Sequence, residues 1–138
     1  MSASAAVAQG RAAAESLMLD SCVITGPGAA PVWDDANGRW TPATGDVLYA
    51  GKCRVTTLGL QPTDAVAGDA VYAVTRPRVD LPISSPGPFP AGAVVTFTAV
   101  GPSSDPALLA SVFKVVQETS KKSYATARRL ACAEVTSG

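Results

Sequence analysis

The stretch S-V-F-K-V-V-Q-E-T-S-K-K-S-Y-A-T-A-R-R-L-A-C-A-E-V, residues 111–135, decides the fold of this chain. Its first part, Val112 to Val116, is β-branched and aromatic, which favours a strand. Its last part, from Tyr124, alternates small and larger side chains, and alternation places successive side chains on opposite faces of a strand. The polar, lysine-bearing turn between them predicts a β-hairpin. A helix remains the alternative for the last part, because alanine, arginine and leucine are good helix formers.

Short apolar runs separated by turn residues continue this pattern upstream. The pair Asn37-Gly38 between Trp33 and Trp40 is a strong hairpin signal, since both central turn positions must accept positive φ. It predicts two tryptophans that pair across the turn. Further strands are predicted over 21–25, 46–58, 70–79 and 91–100, and Gly51 within the second of them is typical of a bulge or a barrel corner. Polar, glycine- and proline-bearing loops are predicted over 59–69 and 80–90.

About six or seven short strands at regular spacing are typical of a sandwich or a small barrel. We therefore predict a mainly β fold: a small antiparallel β-barrel of about six or seven strands, with one N-terminal helix and long Gly/Pro loops. The 138 residues suit one domain. We divide the chain into an N-terminal helical docking segment over 1–20 and a β-barrel domain over 21–138.

The predicted helix, residues 4–19, has helical composition, although Gly10 weakens it. Val7, Ala14, Leu17 and Met18 fall near one face at 3.6-residue spacing. The rest is mostly alanine, so the helix would gain little by packing on its own domain. Two interpretations stay open: a helix ordered by docking on a connector protein through these four residues, and a frayed tail.

The absence of histidine removes the commonest general base and the commonest metal ligand. Phosphate-loop, nucleophile-elbow and zinc-protease motifs are also missing from the sequence. The adjacent Asp34 and Asp35 could hold a hard cation if they shared a turn, but a solvated turn is the favoured interpretation. The sequence therefore predicts no enzyme activity, no cofactor and no metal.

Cys22, Cys53 and Cys132 are an odd number at unequal spacing, and all three lie in apolar runs. This favours buried thiols that act as small hydrophobic groups, with a redox pair as the alternative. Without a signal-peptide pattern or an apolar run of ~20 residues, the chain is expected to be soluble and made in a cytoplasm. Lys plus Arg and Asp plus Glu number 11 each, so the basic excess of a free nucleic-acid binder is missing.

Four arginines are candidates for a subunit interface. Arg76 and Arg78 flank Pro77 and would point the same way on an extended segment, whereas Arg128 and Arg129 would lie on opposite faces of a strand. Protection of a sheet edge against aggregation is the alternative role for such cations. An interface is favoured for Arg128 and Arg129, because two cations in the middle of a strand need partners or solvent.

The pattern D-P-x-L-x-x-x-x-F-x-V-V at 105–116, followed by S-x-A-T-A-R-R-L at 123–130, resembles the small head-completion proteins of long-tailed bacteriophages. These are also called head-closure, stopper or head-to-tail connector proteins, and the resemblance is strongest to those from phages of actinobacteria. It extends upstream through 11–21, 49–57 and 92–98.

This resemblance implies a structural virion protein of the phage neck, made in the host cytoplasm. The protein would form a homo-oligomeric ring that joins the portal-connector complex to the tail and retains packaged DNA. The implied partners are portal or head-tail adaptor proteins, tail-terminator or tail-tube proteins, and passing double-stranded DNA bound without sequence specificity, with no membrane. Candidate lumen- or tail-facing loop residues are Gln61, Asp64, Asp69, Ser84, Ser85 and Phe89. The alternatives are a tail-terminator or other tail-completion ring protein, and a free OB-like β-barrel binding module.

Overall fold

The computed structural model of the chain describes residues 2–27, 31–41, 46–58, 66–67, 70–71, 76–119, 121 and 123–135. Helix α1 spans Ala3–Ser16, and the Ser2 hydroxyl caps it by accepting a hydrogen bond from the Ala5 amide at 3.2 Å. The described strands are β1 Asp20–Thr25, β2 Val32–Asp34, β3 Arg39–Thr41, β4 Val47–Leu58, β5 Val66–Ala67, β6 Ala70–Val71, β7 Arg76–Pro82, β8 Val94–Ala99, β9 Val112–Glu118 and β10 Ala127–Glu134. A 3₁₀ helix, Pro106–Ala110, separates β8 from β9.

Six of these strands close into a barrel in the order β1-β4-β7-β10-β9-β8 and back to β1, and every neighbouring pair is antiparallel. The predicted small antiparallel barrel with one N-terminal helix is confirmed. Alternate side chains of each strand point into the barrel, so apolar residues at every second position form one core. In this cyclic order β8 lies opposite β7, three strands away in either direction.

The barrel interior is filled by aliphatic side chains around two phenylalanines. Phe97 and Phe113 meet edge to face with their ring centroids 5.3 Å apart. Ile24, Leu81 and Leu130 are fully buried around them. Burial of each such side chain contributes about 1.5–3 kcal/mol to stability, so the core is the main source of the fold's stability.

The C-terminal stretch forms the predicted hairpin, and the helical alternative for its last part is wrong. Strand β9 pairs with β10, and Leu130 lies opposite Glu118. Strand β10 begins at Ala127 rather than at Tyr124, because Tyr124 lies in the turn with a φ of 59°. The strand thus starts only after the backbone has left this left-handed conformation.

Strands β2 and β3 form a second hairpin outside the barrel. The hairpin forms where the Asn37-Gly38 signal predicts it, but its turn has four residues, 35–38, and only Gly38 has a positive φ, at 63°. Trp33 and Trp40 lie opposite each other, with ring centroids 5.3 Å apart and planes at 70°. The hairpin is fixed on the barrel by two donors, Arg39 Nη1 to the Thr98 carbonyl and Trp40 Nε1 to the Ala110 carbonyl, both at 2.9 Å.

Three local expectations differ from the structure. The predicted loop over 80–90 begins too early, because β7 continues through Pro82 and its backbone pairs with β10. The 3₁₀ helix after Asp105 was not predicted. The register shift of β1 against β4 lies between Ile24 and Thr25, not at Gly51. A Cβ at Gly51 would come within 2.9 Å of the Tyr49 hydroxyl, so this glycine makes room for the tyrosine side chain.

Candidate functional surfaces

Helix α1 lies on the outside of the barrel, next to β7 and β10. Arg11 Nε donates to the Ala125 carbonyl at 3.1 Å, and the Glu15 carboxylate pairs with Lys52 Nζ at 3.1 Å. A Cβ at Gly10 would lie 2.9 Å from Thr126 Cγ2, so the glycine that weakens the helix also lets it approach the barrel closely. The helix therefore packs on its own domain through polar and close backbone contacts.

This packing corrects the predicted docking face. Met18 is buried in the protein, and Val7 and Ala14 are half-buried on the same side of the helix as Gly10 and Arg11. Leu17 alone of the four predicted residues is exposed, at 52%. The helix has too few large apolar residues to fill two surfaces, and those it has, apart from Leu17, are used against the barrel.

The outer surface of β4, β7 and β10 carries a cluster of cations, which we call the basic wall: Lys52, Arg54, Arg78 and Arg129. Arg54 and Arg129 lie on either side of Asp80, because both are its register partners on the adjoining strands. Asp80 is buried and accepts two hydrogen bonds from Arg78, at 2.8 and 3.0 Å. Two carboxylates lie among these cations: Glu15 pairs with Lys52, and Asp80 pairs with Arg78.

The predicted interface arginines therefore divide into two groups. Arg78 and Arg129 are brought together on the basic wall, and for Arg76 the structure describes only the backbone, at the start of β7. Arg128 points the other way, as its position opposite the inward-facing Leu81 requires. Its Nη1 donates to Glu118 at 2.7 Å and its Nε to the Ser85 carbonyl at 2.7 Å, so it is engaged within the chain.

The arginine–glutamate pair closes one mouth of the barrel together with the loop after β7. Ser85 and Phe89 in this loop are buried, which corrects their assignment as lumen- or tail-facing side chains. The loop folds back over the core, and its apolar and hydroxyl groups find partners inside the protein. Ser84 is exposed, and Gln61, Asp64 and Asp69 lie outside the described residues.

A groove of about 690 Å³ lies where α1 leads into β1, and we call it the Leu17 groove. It is bounded by Leu17, Leu19, Arg54, Val55 and Leu108, and on its polar side by Asp20, Thr56, Ser103, Ser104 and Asp105. Asp20 and Asp105 are already used within the chain. Asp20 accepts hydrogen bonds from the Gly101 amide and the Ser104 hydroxyl, and Asp105 caps the 3₁₀ helix through the Ala107 amide. Sequence reasoning missed this groove, because its three leucines and its arginine come from three separate segments of the chain.

Among the described residues, no group of three or more Cys, Asp or Glu side chains is placed to hold a metal ion. The expectation for the cysteines is confirmed, since all three are free and buried. A hydrogen bond with Cys22, together with burial, raises the pKa of the Cys53 thiol above its ordinary value. Burial raises the pKa of Cys132 to about 12.

These raised pKa values predict a loss of stability in alkali. Between the ordinary thiol pKa of 9.0 and the folded-state value of about 12 for Cys132, the unfolded chain releases protons that the folded chain keeps. Each of the two thiols should therefore lower the free energy of unfolding by about 1.4 kcal/mol between pH 7 and pH 10. Urea denaturation across this pH range measures the loss of unfolding free energy. In Cys132→Ala this loss should be smaller by about 1.4 kcal/mol, the contribution of one thiol. A constant free energy of unfolding would contradict the raised pKa values.

These features define a small six-stranded β-barrel protein with an external helix and an external hairpin. The chain belongs to a protein family of unknown function, DUF6093, whose model matches residues 10–133. No curated protein and no solved structure matches it. Among the described residues, no helix is long and apolar enough to cross a membrane.

Proposed function

We propose that this chain is a structural protein of the phage neck. It forms a ring that joins the portal-connector complex to the tail and retains packaged DNA. The observation that carries the proposal is the resemblance of residues 105–130 to head-completion proteins. A small barrel with an external helix and an external hairpin is an architecture that suits a ring subunit, because neighbours can be contacted without disturbing the core.

The residues that carry the resemblance lie along one continuous part of the fold. Asp105 caps the 3₁₀ helix, Phe113 and Leu130 enter the core, and Arg128 closes the barrel mouth. These residues therefore have structural roles in this part of the barrel. The neck role is inferred from the proteins that share the pattern.

The charge distribution supports a role beside moving DNA. Lys52 and Arg78 of the basic wall are paired with carboxylates, and the whole chain has a net charge of zero. A strongly cationic channel would hold DNA by neutralising its phosphates and releasing counterions. A neutral subunit allows DNA to pass without being gripped.

A free OB-like binding module is less well supported. An OB-fold is a five-stranded barrel, whereas this barrel has six strands. Tyr124 is exposed, but Tyr72, the other tyrosine that sequence reasoning placed near arginines, lies outside the described residues. A tail-terminator ring would share the architecture proposed here and differs in the component that it contacts.

Particles assembled without the protein test the proposal directly. In the phage that encodes the chain, its removal should give heads that package DNA, fail to join tails and lose the DNA, and supplying the intact chain should restore infectious particles. Labelling of the protein in complete particles should place it between portal and tail, whereas a label next to the tail tube alone would favour the tail-terminator role. Infectious particles that lack the protein, together with a purified chain that stays monomeric, would contradict the proposal.

A further inference from the structure

We infer that Asn37 is a site of spontaneous deamidation, and that Asp34 holds it in an unreactive geometry while the β2–β3 hairpin is intact. This modification goes beyond the proposed function. Neither a ring nor a phage neck is needed for the chemistry, which depends only on the turn at 35–38 and on the contacts of Asp34 within it.

An asparagine followed by glycine lies next to its own nucleophile. The Gly38 amide nitrogen gives up its proton to water and attacks Cγ of the Asn37 side chain. The new N–C bond closes a cyclic succinimide, and the side-chain amide leaves as ammonia. Water then opens the ring at either of its two carbonyls, which gives aspartate or isoaspartate. Glycine favours this attack because it has no side chain to shield its nitrogen.

Solvent reaches both reacting groups in the folded protein. Asn37 and Gly38 are exposed at the tip of the hairpin. No atom of the described residues lies within 4 Å of the position that a Cβ at Gly38 would take. Asn37 is also the only asparagine in the sequence, so this reaction has one place in the chain where it can occur.

The intact turn uses both reacting groups in hydrogen bonds. The Gly38 amide donates to the Asp34 carbonyl at 2.9 Å, so the nucleophile is already engaged. Asn37 Nδ2 donates to Asp34 Oδ2 at 2.7 Å, so the group that would be attacked is held as well. Ring closure needs the nitrogen and Cγ to meet in a near-attack geometry. The side chain must therefore leave Asp34 before the reaction can begin.

The Asp34 carboxylate is itself fixed in the turn. Its Oδ1 accepts a hydrogen bond from the Ala36 amide at 3.0 Å. The hydrogen bond from the Asn37 side chain lowers the pKa of this carboxyl below its ordinary value, so the group is ionised at neutral pH. Hydrogen bonds to an ionised acceptor are stronger than those between neutral groups. Asp34 therefore acts as a positioning residue for Asn37.

The product would not fit the turn. A carboxylate at position 37 would face Asp34 Oδ2 where a donor now lies 2.7 Å away, and two like charges repel. Isoaspartate also adds a methylene to the main chain, which displaces Gly38 from the Asp34 carbonyl. The pairing of Trp33 with Trp40 lies directly behind this turn. Deamidation would therefore loosen the hairpin, and the loss of ammonia makes the change irreversible.

Storage of the full chain at neutral pH tests the inference. Each event replaces an amide by a carboxylate, so ion-exchange chromatography counts the acidic form and mass spectrometry of the tryptic peptide 12–39 locates it. Asp34→Ala should form it about fivefold faster than the parent, because the contacts that hold Asn37 are lost. Asp34→Ser keeps a short acceptor and should fall between the two. Asp35→Ala is the matched control: it removes a neighbouring carboxylate that bonds Trp33 Nε1, and its rate should stay within about twofold of the parent.

Unfolding separates the effect of the turn from the reactivity of the dipeptide. In denaturing guanidinium chloride the parent and Asp34→Ala should react at the same rate, and faster than the folded parent. Asn37→Ser should give no acidic form. The inference is overturned if the folded parent reacts as fast as the unfolded chain, a comparison that needs no variant. It is also overturned if Asp34→Ala is no faster than the parent, if Asp35→Ala is equally fast, or if Asn37→Ser still turns acidic.

Discussion

Replacement of Arg128 by methionine should lower the free energy of unfolding by about 3 kcal/mol. The Glu118 side chain is 4% exposed, and Arg128 is its ion-pair partner at 2.7 Å. Its second oxygen, Oε2, is buried and has no hydrogen-bond partner among the described residues. Loss of the arginine would leave a buried carboxylate without compensation, and breaking one side of a buried pair typically costs 3–5 kcal/mol. Urea denaturation at pH 7 measures the change.

Two further variants show whether the loss comes from the buried charge. Arg128→Met with Glu118→Leu replaces the whole pair by apolar groups and should recover at least half of the loss, because no charge is then left in the barrel mouth. Arg54→Met makes the same change at an exposed arginine with no described partner, and we expect it to stay within about 0.5 kcal/mol of the parent chain. Equal losses in the single and double Arg128 variants would show that the stabilisation comes from packing instead.

The local signals in the sequence predicted much of this fold. The Asn37-Gly38 turn and the alternation after Tyr124 depend on contacts between residues close in the chain, and both gave the hairpins that the structure has. The opposite directions of Arg128 and Arg129 also follow from strand geometry alone. Such features are predictable because backbone sterics and the two-residue period determine them.

Features that depend on contacts between distant parts of the chain could not be predicted from the sequence in the same way. Which face of β10 points inward depends on its pairing with β7, a strand about fifty residues away, so sequence reasoning could not tell which arginine was available for an interface. Burial of Met18 and Phe89 depends on how segments outside the strands fold back over the barrel. The Leu17 groove is formed by three separate parts of the chain, and no local pattern marks it.

The second large effect is expected in the core. Phe97→Ala should lower the free energy of unfolding by about 4 kcal/mol, because a fully buried aromatic side chain is removed and a cavity is left beside Phe113. The position is critical for barrel closure. Strands β8 and β9 share three register pairs, from Val94 opposite Lys114 to Thr96 opposite Val112, and two hydrogen bonds of Val115 with Gly92 and Ala93 continue the seam. Because the seam is short, the side chains packed beside it contribute much of its stability.

The same reasoning predicts where the variant opens first. In Phe97→Ala, amide hydrogen exchange should become faster in β8 and β9 than in β1 and β4, whose seam has a longer register. Phe97→Leu is the matched control: it keeps most of the side-chain volume and should lose less than half as much stability without selective opening of the seam. Exchange that accelerates equally in all six strands would contradict this account, because it would mean that the barrel opens as one unit and that the β8–β9 seam has no special dependence on its aromatic pair.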